Sequence, residues 1–131
     1  MKKTPLLNAD LSHLIATLGH GDAVVIADAG LPVPPGTCCI DLAVTRGVPS
    51  FAHVLDAVLS EMQVQQADVA TETAAHSPQI ETLLRERLGS EPLRQVTHEV
   101  LKQRSQAARA IVRTGECTPY ANVILYAGVV F

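Results

Sequence analysis

A histidine between two glycines is the first group in this chain that could do acid–base chemistry. His20 lies in the stretch Gly19-His20-Gly21-Asp22. Flanking glycines allow a sharp backbone turn and keep bulky side chains away from the imidazole. Histidine titrates at about pH 6.5, so His20 could give or take a proton at neutral pH. A loop histidine that only hydrogen-bonds the end of the preceding helix fits the same residues.

A carboxylate follows the first strongly apolar run of the chain. Asp28 comes directly after Ala23–Ala27, a run typical of a strand buried on both faces. In open α/β sheets, ligands bind in the crevice outside the carboxyl ends of the strands. A carboxylate there could accept hydrogen bonds from sugar hydroxyls or orient a catalytic imidazole. An Asx turn that starts the proline-rich loop 29–35 explains Asp28 equally well.

Three further polar side chains are candidates for ligand contacts. His98 stands at the start of a predicted helix, and Tyr120 and Asn122 flank the start of the last predicted strand. Tyrosine and asparagine hydrogen-bond well to polyols. The polar loop 114–121, which carries Gly115 and Pro119, has no periodicity and is a candidate for function rather than packing. A solvated first helical turn for His98 and ring packing at a strand edge for Tyr120 are the alternatives.

The common signatures of metal and nucleotide chemistry are absent. The chain has five histidines, but they show no HExxH or HxH spacing. It has no phosphate-binding loop, no GxGxxG and no GxSxG. Its three cysteines are Cys38, Cys39 and Cys117, an odd count unlike a disulfide framework. We expect all three to be small buried hydrophobes in a reducing cytosol.

The elements that must position these residues alternate between short apolar runs and amphipathic stretches, which predicts an α/β fold. The predicted strands are 23–27, 40–44, 67–70, 93–96, 109–113 and 122–127. The predicted helices are 8–18, 50–62, 77–88 and 98–108. Their predicted N-caps are Asn8 or Asp10, Ser50, Ser77 and Thr97. We predict a single domain over residues 1–131, a three-layer α/β/α sandwich with a largely parallel or mixed sheet.

Composition excludes several classes of protein. Of the 131 residues, 47% are hydrophobic and 18% are charged, and the net charge of −3 argues against disorder. With no basic cluster and no tryptophan, the chain is not suited to nucleic acid. Its apolar runs are too short for a membrane span, and we expect no secretion signal. The excess of apolar residues indicates a subunit interface.

Several blocks of sequence, taken in order, resemble the D-ribose pyranases, which are grouped with the fucose mutarotases. The resemblance covers nearly the whole chain, and the loop 29–34 resembles the ribose branch. The stretch 75–94 matches poorly, and Cys38-Cys39 stands where the family often has a basic residue. The blocks that carry the resemblance are Leu18-Gly-His-Gly-Asp22, Ala27-Asp-Ala-Gly-Leu-Pro-Val-Pro34, Ile40-Asp-Leu42, Gly47-Val-Pro-Ser-Phe51, Thr97-His-Glu99, Val112-Arg-Thr-Gly-Glu116, Thr118-Pro-Tyr-Ala-Asn122 and Ala127-Gly-Val129.

The resemblance implies an enzyme that interconverts the pyranose and furanose forms of free D-ribose. His20 matches the catalytic histidine of the family, and we expect it to protonate the ring oxygen. The substrate-binding positions match Asp28, His98, Tyr120, Ala121 and Asn122. We expect Asp28 also to set the orientation or tautomer of His20. The family is cytoplasmic and uses no metal or organic cofactor. It forms homodecamers of two pentameric rings, with sites where subunits meet.

Other functions fit the same residues. A non-catalytic sugar-binding module could use this pocket without speeding exchange, because a pure binder needs no proton donor on the ring oxygen. A mutarotase for another sugar, such as L-fucose, is a second alternative. A metal-dependent hydrolase is disfavoured by the missing ligand spacing. The sequence also leaves open which group takes the anomeric proton, and bound water is one candidate.

Overall fold

One mixed six-stranded sheet organises the chain. A computed structural model describes all residues from Met1 to Phe131. No helix has both the length and the hydrophobicity that crossing a bilayer requires. In chain order the elements are α1 (Ala9–Thr17), β1 (Ala23–Ala27), β2 (Cys39–Asp41), α2 (Phe51–Leu59), β3 (Val64–Ala70), α3 (Thr71–His76), α4 (Pro78–Leu88), β4 (Leu93–Val96), α5 (His98–Ser105), β5 (Ala110–Arg113) and β6 (Val123–Ala127).

Strand direction gives the sheet two distinct edges. The strand order is β2-β5-β1-β6-β3-β4, and β6 pairs antiparallel with both β1 and β3 while every other pairing is parallel. Five strands therefore run in one direction. We call the edge where β1 ends and β6 begins the carboxyl edge, and the opposite edge, where β1 begins and β6 ends, the amino edge. The predicted mixed sheet is confirmed.

Helices cover both faces of the sheet, which confirms the three predicted layers. On one face α1, α2 and α4 pack over the strands in a core of 23 buried residues, with Phe51 and Leu55 fully buried at its centre. On the other face Leu101 of α5 and Leu31 of the proline-rich loop cover a smaller core of 7 buried residues. Burying each such large side chain contributes about 1.5–3 kcal/mol.

A buried carboxylate lies on the face covered by α5. Asp68 of β3 is fully buried and accepts hydrogen bonds from Arg94 (Nε–Oδ1, 2.8 Å), Arg104 (Nη1–Oδ2, 2.6 Å) and Tyr126 (Oη–Oδ2, 2.8 Å). Burial by itself raises the pKa of this carboxyl, but the hydrogen bonds from both guanidinium groups and the phenol outweigh it and lower the pKa. The cluster links β3, β4, β6 and α5.

Most helix starts follow from local capping. Asn8, Ser50 and Thr97 each accept a hydrogen bond from a backbone amide three residues on, as predicted. Pro78 opens α4, and Gly89 ends it with φ at +62°. Ser77 stands at the N-cap of α4 but makes no capping hydrogen bond, so its predicted capping role is wrong.

The predicted bounds are wrong at several ends, and one helix was not predicted. Strand β2 stops at Asp41, because residues 44–48 turn back through a bridge between Thr45 and Val48. Helix α2 ends three residues early, and α5 also ends three residues early, at Ser105. Strand β3 begins at Val64, three residues before its predicted start. Helix α3 has no side-chain cap and buries only Thr73, so it left no signal in the pattern.

The expectation for the cysteines is also wrong. Cys38, Cys39 and Cys117 are all free and exposed. Cys38 precedes β2 and Cys39 is its first residue, and β2 is an edge strand with a neighbour on one side only. Cys117 lies in a loop. The pKa of the Cys39 thiol is raised, mainly by partial burial and then by the nearby Asp41 carboxylate.

Candidate functional site

Asp28 and Asn122 are joined at the carboxyl edge. The buried Asn122 side chain accepts from the Asp28 amide (Oδ1–N, 2.9 Å) and donates to the Asp28 carboxylate (Nδ2–Oδ2, 2.9 Å). The other carboxylate oxygen accepts from the Gly30 amide at 2.9 Å, so Asp28 does form the Asx turn that was the alternative interpretation. The same side chain therefore starts the proline-rich loop and presents a carboxylate held in one place.

The loop 114–121 is tied to the end of β1. Thr114 donates through both its amide and its hydroxyl to the Ala27 carbonyl, at 3.0 and 2.8 Å. The Ala29 amide donates to the Glu116 carbonyl at 2.8 Å. Gly115 packs against the turn at residues 45–48 so closely that a Cβ atom would lie 2.5 Å from the Thr45 and Val48 carbonyl oxygens. Only glycine fits there, so Gly115 lets the loop pack directly against that turn.

Helix α3 positions Tyr120. The Thr73 hydroxyl donates to the Tyr120 carbonyl at 2.9 Å, and the Ser77 hydroxyl donates to the Pro119 carbonyl at 2.7 Å. These contacts accompany an unusual backbone, because Tyr120 has φ at +60°. Its ring lies between two imidazoles, with centroid distances of 5.2 Å to His76 and 5.1 Å to His98. Sequence reasoning missed all three supporting side chains, Thr73, Ser77 and His76.

His98 stands at the first position of α5 next to an acidic group. Its amide donates to the Glu72 carboxylate at 2.9 Å. The amide of Glu72 itself lowers the pKa of that carboxyl most. Burial, the next largest effect, raises the pKa, but the His98 amide and the Thr71 hydroxyl lower it further, so the pKa is lowered overall. Nδ1 of His98 is buried without a hydrogen-bond partner. A buried polar atom of this kind is costly unless a ligand or water satisfies it.

These residues surround one cavity of about 280 Å³. Four of the six predicted site residues line it together: Asp28, His98, Tyr120 and Asn122. Ala121 is fully buried in the larger core, does not line the cavity, and donates its amide to the Thr118 carbonyl. The cavity thus presents a carboxylate, an amide, an imidazole and a phenol, which can together hydrogen-bond a small polyhydroxylated ligand.

His20 lies at the amino edge, apart from this cavity. The turn that carries it uses Gly21 at φ +84°, a conformation that favours glycine, as the flanking glycines predicted. The Asp22 carboxylate accepts from the Gly19 amide and from Arg109, both at 2.8 Å through Oδ2. Two backbone hydrogen bonds of 2.8 Å join the turn to Ala127 at the end of β6.

The imidazole of His20 contacts a side chain that sequence reasoning missed. Nε2 of His20 lies 2.7 Å from Oε1 of Gln65 on β3. His20 lines a second, larger cavity of about 370 Å³. That cavity is mainly apolar, and its lining includes Ile15, Leu18, Met62 and the exposed final residues Val129, Val130 and Phe131. His20 makes no hydrogen bond to a helix carbonyl, which is the contact that the alternative interpretation of His20 expected.

The two halves of the predicted site are separated by the length of a strand. His20 precedes β1 and Asp28 follows it, and five residues at roughly 3.3 Å each span about 16 Å. A single pentose cannot touch both groups within one chain. The expectation that Asp28 orients His20 therefore does not hold inside one chain. Nowhere in the chain do three or more His, Cys, Asp or Glu side chains converge closely enough to bind a metal ion.

Comparison with known proteins identifies the family. The family model described as the RbsD / FucU transport protein family matches residues 1–130 of this chain. The chain belongs to the RbsD/FucU family. Two relatives are named D-ribose pyranase, and each alignment covers 100% of this chain and 100% of the relative. One, from Chloroflexus aggregans, is 59% identical over 131 residues, and the other, from Pseudomonas syringae pv. tomato, is 57% identical over 136 residues.

Two solved structures share this fold. The structure of Bacillus subtilis RbsD complexed with D-ribose matches with a TM-score of 0.97 and 42% identity, over 100% of both chains. The fucose mutarotase from Streptococcus pneumoniae, solved in complex with L-fucose, matches with a TM-score of 0.85 and 28% identity, again over 100% of both chains. In both fold and sequence, this chain is thus more similar to the protein in the ribose complex than to the protein in the fucose complex.

Proposed function

We propose that this chain is a D-ribose pyranase, an isomerase that interconverts the pyranose and furanose forms of free D-ribose. The observation that carries the proposal is the polar cavity at the carboxyl edge. It is formed in a chain that matches a ribose-bound structure over its full length with a TM-score of 0.97. The proposed enzyme acts on a small sugar and uses the whole chain, residues 1–131, as one unit.

The reaction needs only proton transfer. Ring opening removes the proton of the anomeric hydroxyl, breaks the bond between the anomeric carbon and the ring oxygen, and adds a proton to that oxygen. A carbonyl forms at the anomeric carbon, and closure through a different hydroxyl changes the ring size. Ring closure releases the proton of the attacking hydroxyl and returns a proton to the anomeric oxygen, so no proton is gained or lost over opening and closure together. A positioned acid–base group typically contributes about 10²–10⁴-fold to such a step.

The cavity residues supply recognition. The Asp28 carboxylate accepts hydrogen bonds from sugar hydroxyls, because Asn122 and Gly30 leave it lone pairs while fixing its position. His98 lines the cavity, and its imidazole hydrogen-bonds a hydroxyl of the sugar. Tyr120 offers its phenol, whereas Ala121 is buried behind the cavity and has no place in the proposed contacts. His20 is the acid that protonates the ring oxygen, with bound water as the acceptor of the anomeric proton.

Two subunits must meet to complete this site. Since His20 and the cavity lie at opposite ends of β1, His20 of one subunit faces the cavity of its neighbour. The exposed apolar residues near His20 support this arrangement, since Val130 and Phe131 are 86% and 102% exposed in the single chain. The proposed assembly is a homodecamer of two pentameric rings that works in the cytoplasm.

Saturation-transfer NMR on D-ribose tests the activity directly. Saturating a pyranose signal and following the furanose signals should show faster exchange with the protein than without it. His20→Ala should lower the enhancement about 10²–10⁴-fold and change the melting temperature little, because the His20 side chain makes only one hydrogen bond within its chain, to Gln65. Ribose binding without faster exchange would favour a binding module instead. Exchange of L-fucose but not of ribose would move the assignment to the fucose branch.

A further inference from the structure

An irregularity in the sheet aims one glutamine at His20. Val64 pairs with Ala127, and Gln66 pairs with the adjacent residue Tyr126, so β3 has one more residue than β6 at this point. The extra residue is Gln65. A β-bulge of this kind leaves a residue out of the ladder and redirects its side chain. Here the redirected side chain places its carbonyl oxygen 2.7 Å from Nε2 of His20.

The bulge and the His20 turn share strand β6 as a common support. Ala127 accepts from the Gly21 amide and donates to the Asp22 carbonyl, both at 2.8 Å, which fixes the turn. The next residue, Gly128, donates to the Gln63 carbonyl at 2.8 Å and leaves only 3.2 Å between an added Cβ and the Gln65 Cβ. Imidazole and amide are therefore both held relative to the same end of one strand.

The charged side chains around the turn are engaged with other partners. Asp22 on the turn bonds Arg109, which precedes β5, and Glu61, which follows α2, pairs with Lys2 at 3.1 Å. None of them forms an ion pair with His20, and Gln65 is the only side chain that hydrogen-bonds its imidazole. The imidazole is thus oriented by a neutral group.

We propose that Gln65 is the positioning residue for His20, and that it makes Nδ1 the nitrogen that serves the sugar. The proposal rests on the proposed function and refines it. Oε1 of Gln65 can only accept a hydrogen bond, so Nε2 carries a proton in both charge states of the ring. The proton that His20 gives to the ring oxygen then leaves from Nδ1, and the neutral Nε2–H tautomer remains.

Nitrogen-15 NMR of the histidine rings tests the tautomer without any turnover. His20→Ala identifies the His20 signals by their loss among five histidines. At high pH the wild type should show a protonated Nε2 and an unprotonated Nδ1, and Gln65→Ala should shift both nitrogens toward the average of a free imidazole. The reverse tautomer in the wild type, or unchanged signals in Gln65→Ala, would overturn the proposal.

Exchange kinetics provide the second test, with a matched control beside the bulge. Gln65→Ala should lower kcat about tenfold with little change in KM, because a misdirected acid affects the chemical step. Gln65→Glu should restore kcat and move the alkaline limb of the pH profile up by about one unit, because a carboxylate favours the imidazolium. Gln63→Ala should behave as wild type, because the Gln63 amide donates to the Val64 carbonyl instead.

The two proposals fail in different ways. If the wild type accelerates ribose exchange but Gln65→Ala has the wild-type kcat, or Gln65→Glu has an unmoved pH limb, the role of Gln65 is wrong and the function stands. If the wild type accelerates no exchange, the function is wrong, and the nitrogen signals still report whether Gln65 fixes the tautomer of His20.

Discussion

The two edges of the sheet are built in opposite ways. At the carboxyl edge, Asp28, Thr114 and Asn122 form a network of buried or half-buried hydrogen bonds of 2.8–3.0 Å. At the amino edge, His20 and Gln65 are exposed and share a single side-chain hydrogen bond. The cavity that would bind the sugar is therefore preformed within one chain. His20, the proposed acid, lies on an exposed surface and would need a second subunit to reach the sugar.

Because of this difference, substitutions in the two halves of the proposed site should have different effects on binding, stability and rate. Removing a group from the carboxyl edge leaves buried polar atoms unsatisfied, so binding and stability should fall together. Removing a group from the amino edge leaves only exposed atoms, so the rate should fall and the fold should not change. A site split in this way can also be reassembled from two defective chains.

Mixing two variants that are each defective in one half of the site should give the largest effect. In His20→Ala the cavity is intact, and in Asn122→Ala the acid is intact. If each site takes His20 from one subunit and the cavity from another, random mixing in equal amounts gives one quarter of the sites both groups. Co-expression and exchange measurement on the mixed oligomer should then recover about a quarter of wild-type activity.

The control is the same pair of substitutions placed in one chain and mixed with wild type. In that mixture, sites with both groups also form in one quarter of cases, so the two mixtures should match. An unshared site predicts a different outcome, with only the residual activity of the two variants from the first mixture and half activity from the second.

Asn122→Ala should give the next largest effect, on stability and binding together. The change removes both hydrogen bonds to Asp28 and leaves the Asp28 amide without its partner. We expect a loss of about 1–3 kcal/mol in the free energy of unfolding and about tenfold weaker ribose binding. Urea unfolding and ribose titration measure the two.

The matched control for Asn122 is Ser105→Ala. Ser105 is also buried, but its hydroxyl donates to the Lys102 carbonyl within α5, away from the cavity. It should lose stability and retain ribose affinity. Equal loss of affinity in both variants would mean that binding follows stability alone and that Asn122 has no part in the cavity.

The sequence predicted the parts of this fold that have strong local signals. The apolar run of β1, the caps Asn8, Ser50 and Thr97, and Gly89 after α4 each act within a few residues, and all were found where predicted. The cavity followed from a topological rule, because five parallel strands bring their carboxyl ends to one edge.

What the sequence did not reveal depends on contacts distant in the chain. Gln65 reaches His20, 45 residues away, through a bulge that exists only once β3 pairs with β6. Thr73 and Ser77 support Tyr120 through hydrogen bonds across 47 and 42 residues, respectively, and Ser77 resembled an ordinary cap. Periodicity and capping describe residues that are close in sequence, so neither could predict contacts between residues more than 40 positions apart.

Arg109→Ala should give the smallest effect. It tests whether the ion pair that supports the turn also affects His20, which the turn carries. The Arg109–Asp22 ion pair is 2.8 Å long, with the two side chains 47% and 31% exposed, so its loss should cost at most about 1 kcal/mol of stability. Asp22 keeps its hydrogen bond from the Gly19 amide, so the turn should loosen without unfolding. We expect a two- to threefold lower exchange rate, about the size of a small orientation defect.

Arg87→Ala is the matched control for Arg109→Ala, because it removes an exposed ion pair that is not near His20. Arg87 makes a comparable exposed ion pair of 2.7 Å with Asp56, with the two side chains 39% and 47% exposed, between α4 and α2 and away from His20. Both variants should lose similar stability in urea unfolding, and only Arg109→Ala should lose exchange rate. A rate loss in both would trace the effect to general destabilisation. A rate loss in neither would mean that Gly21, Ala127 and Gln65 hold the His20 turn without help from the ion pair.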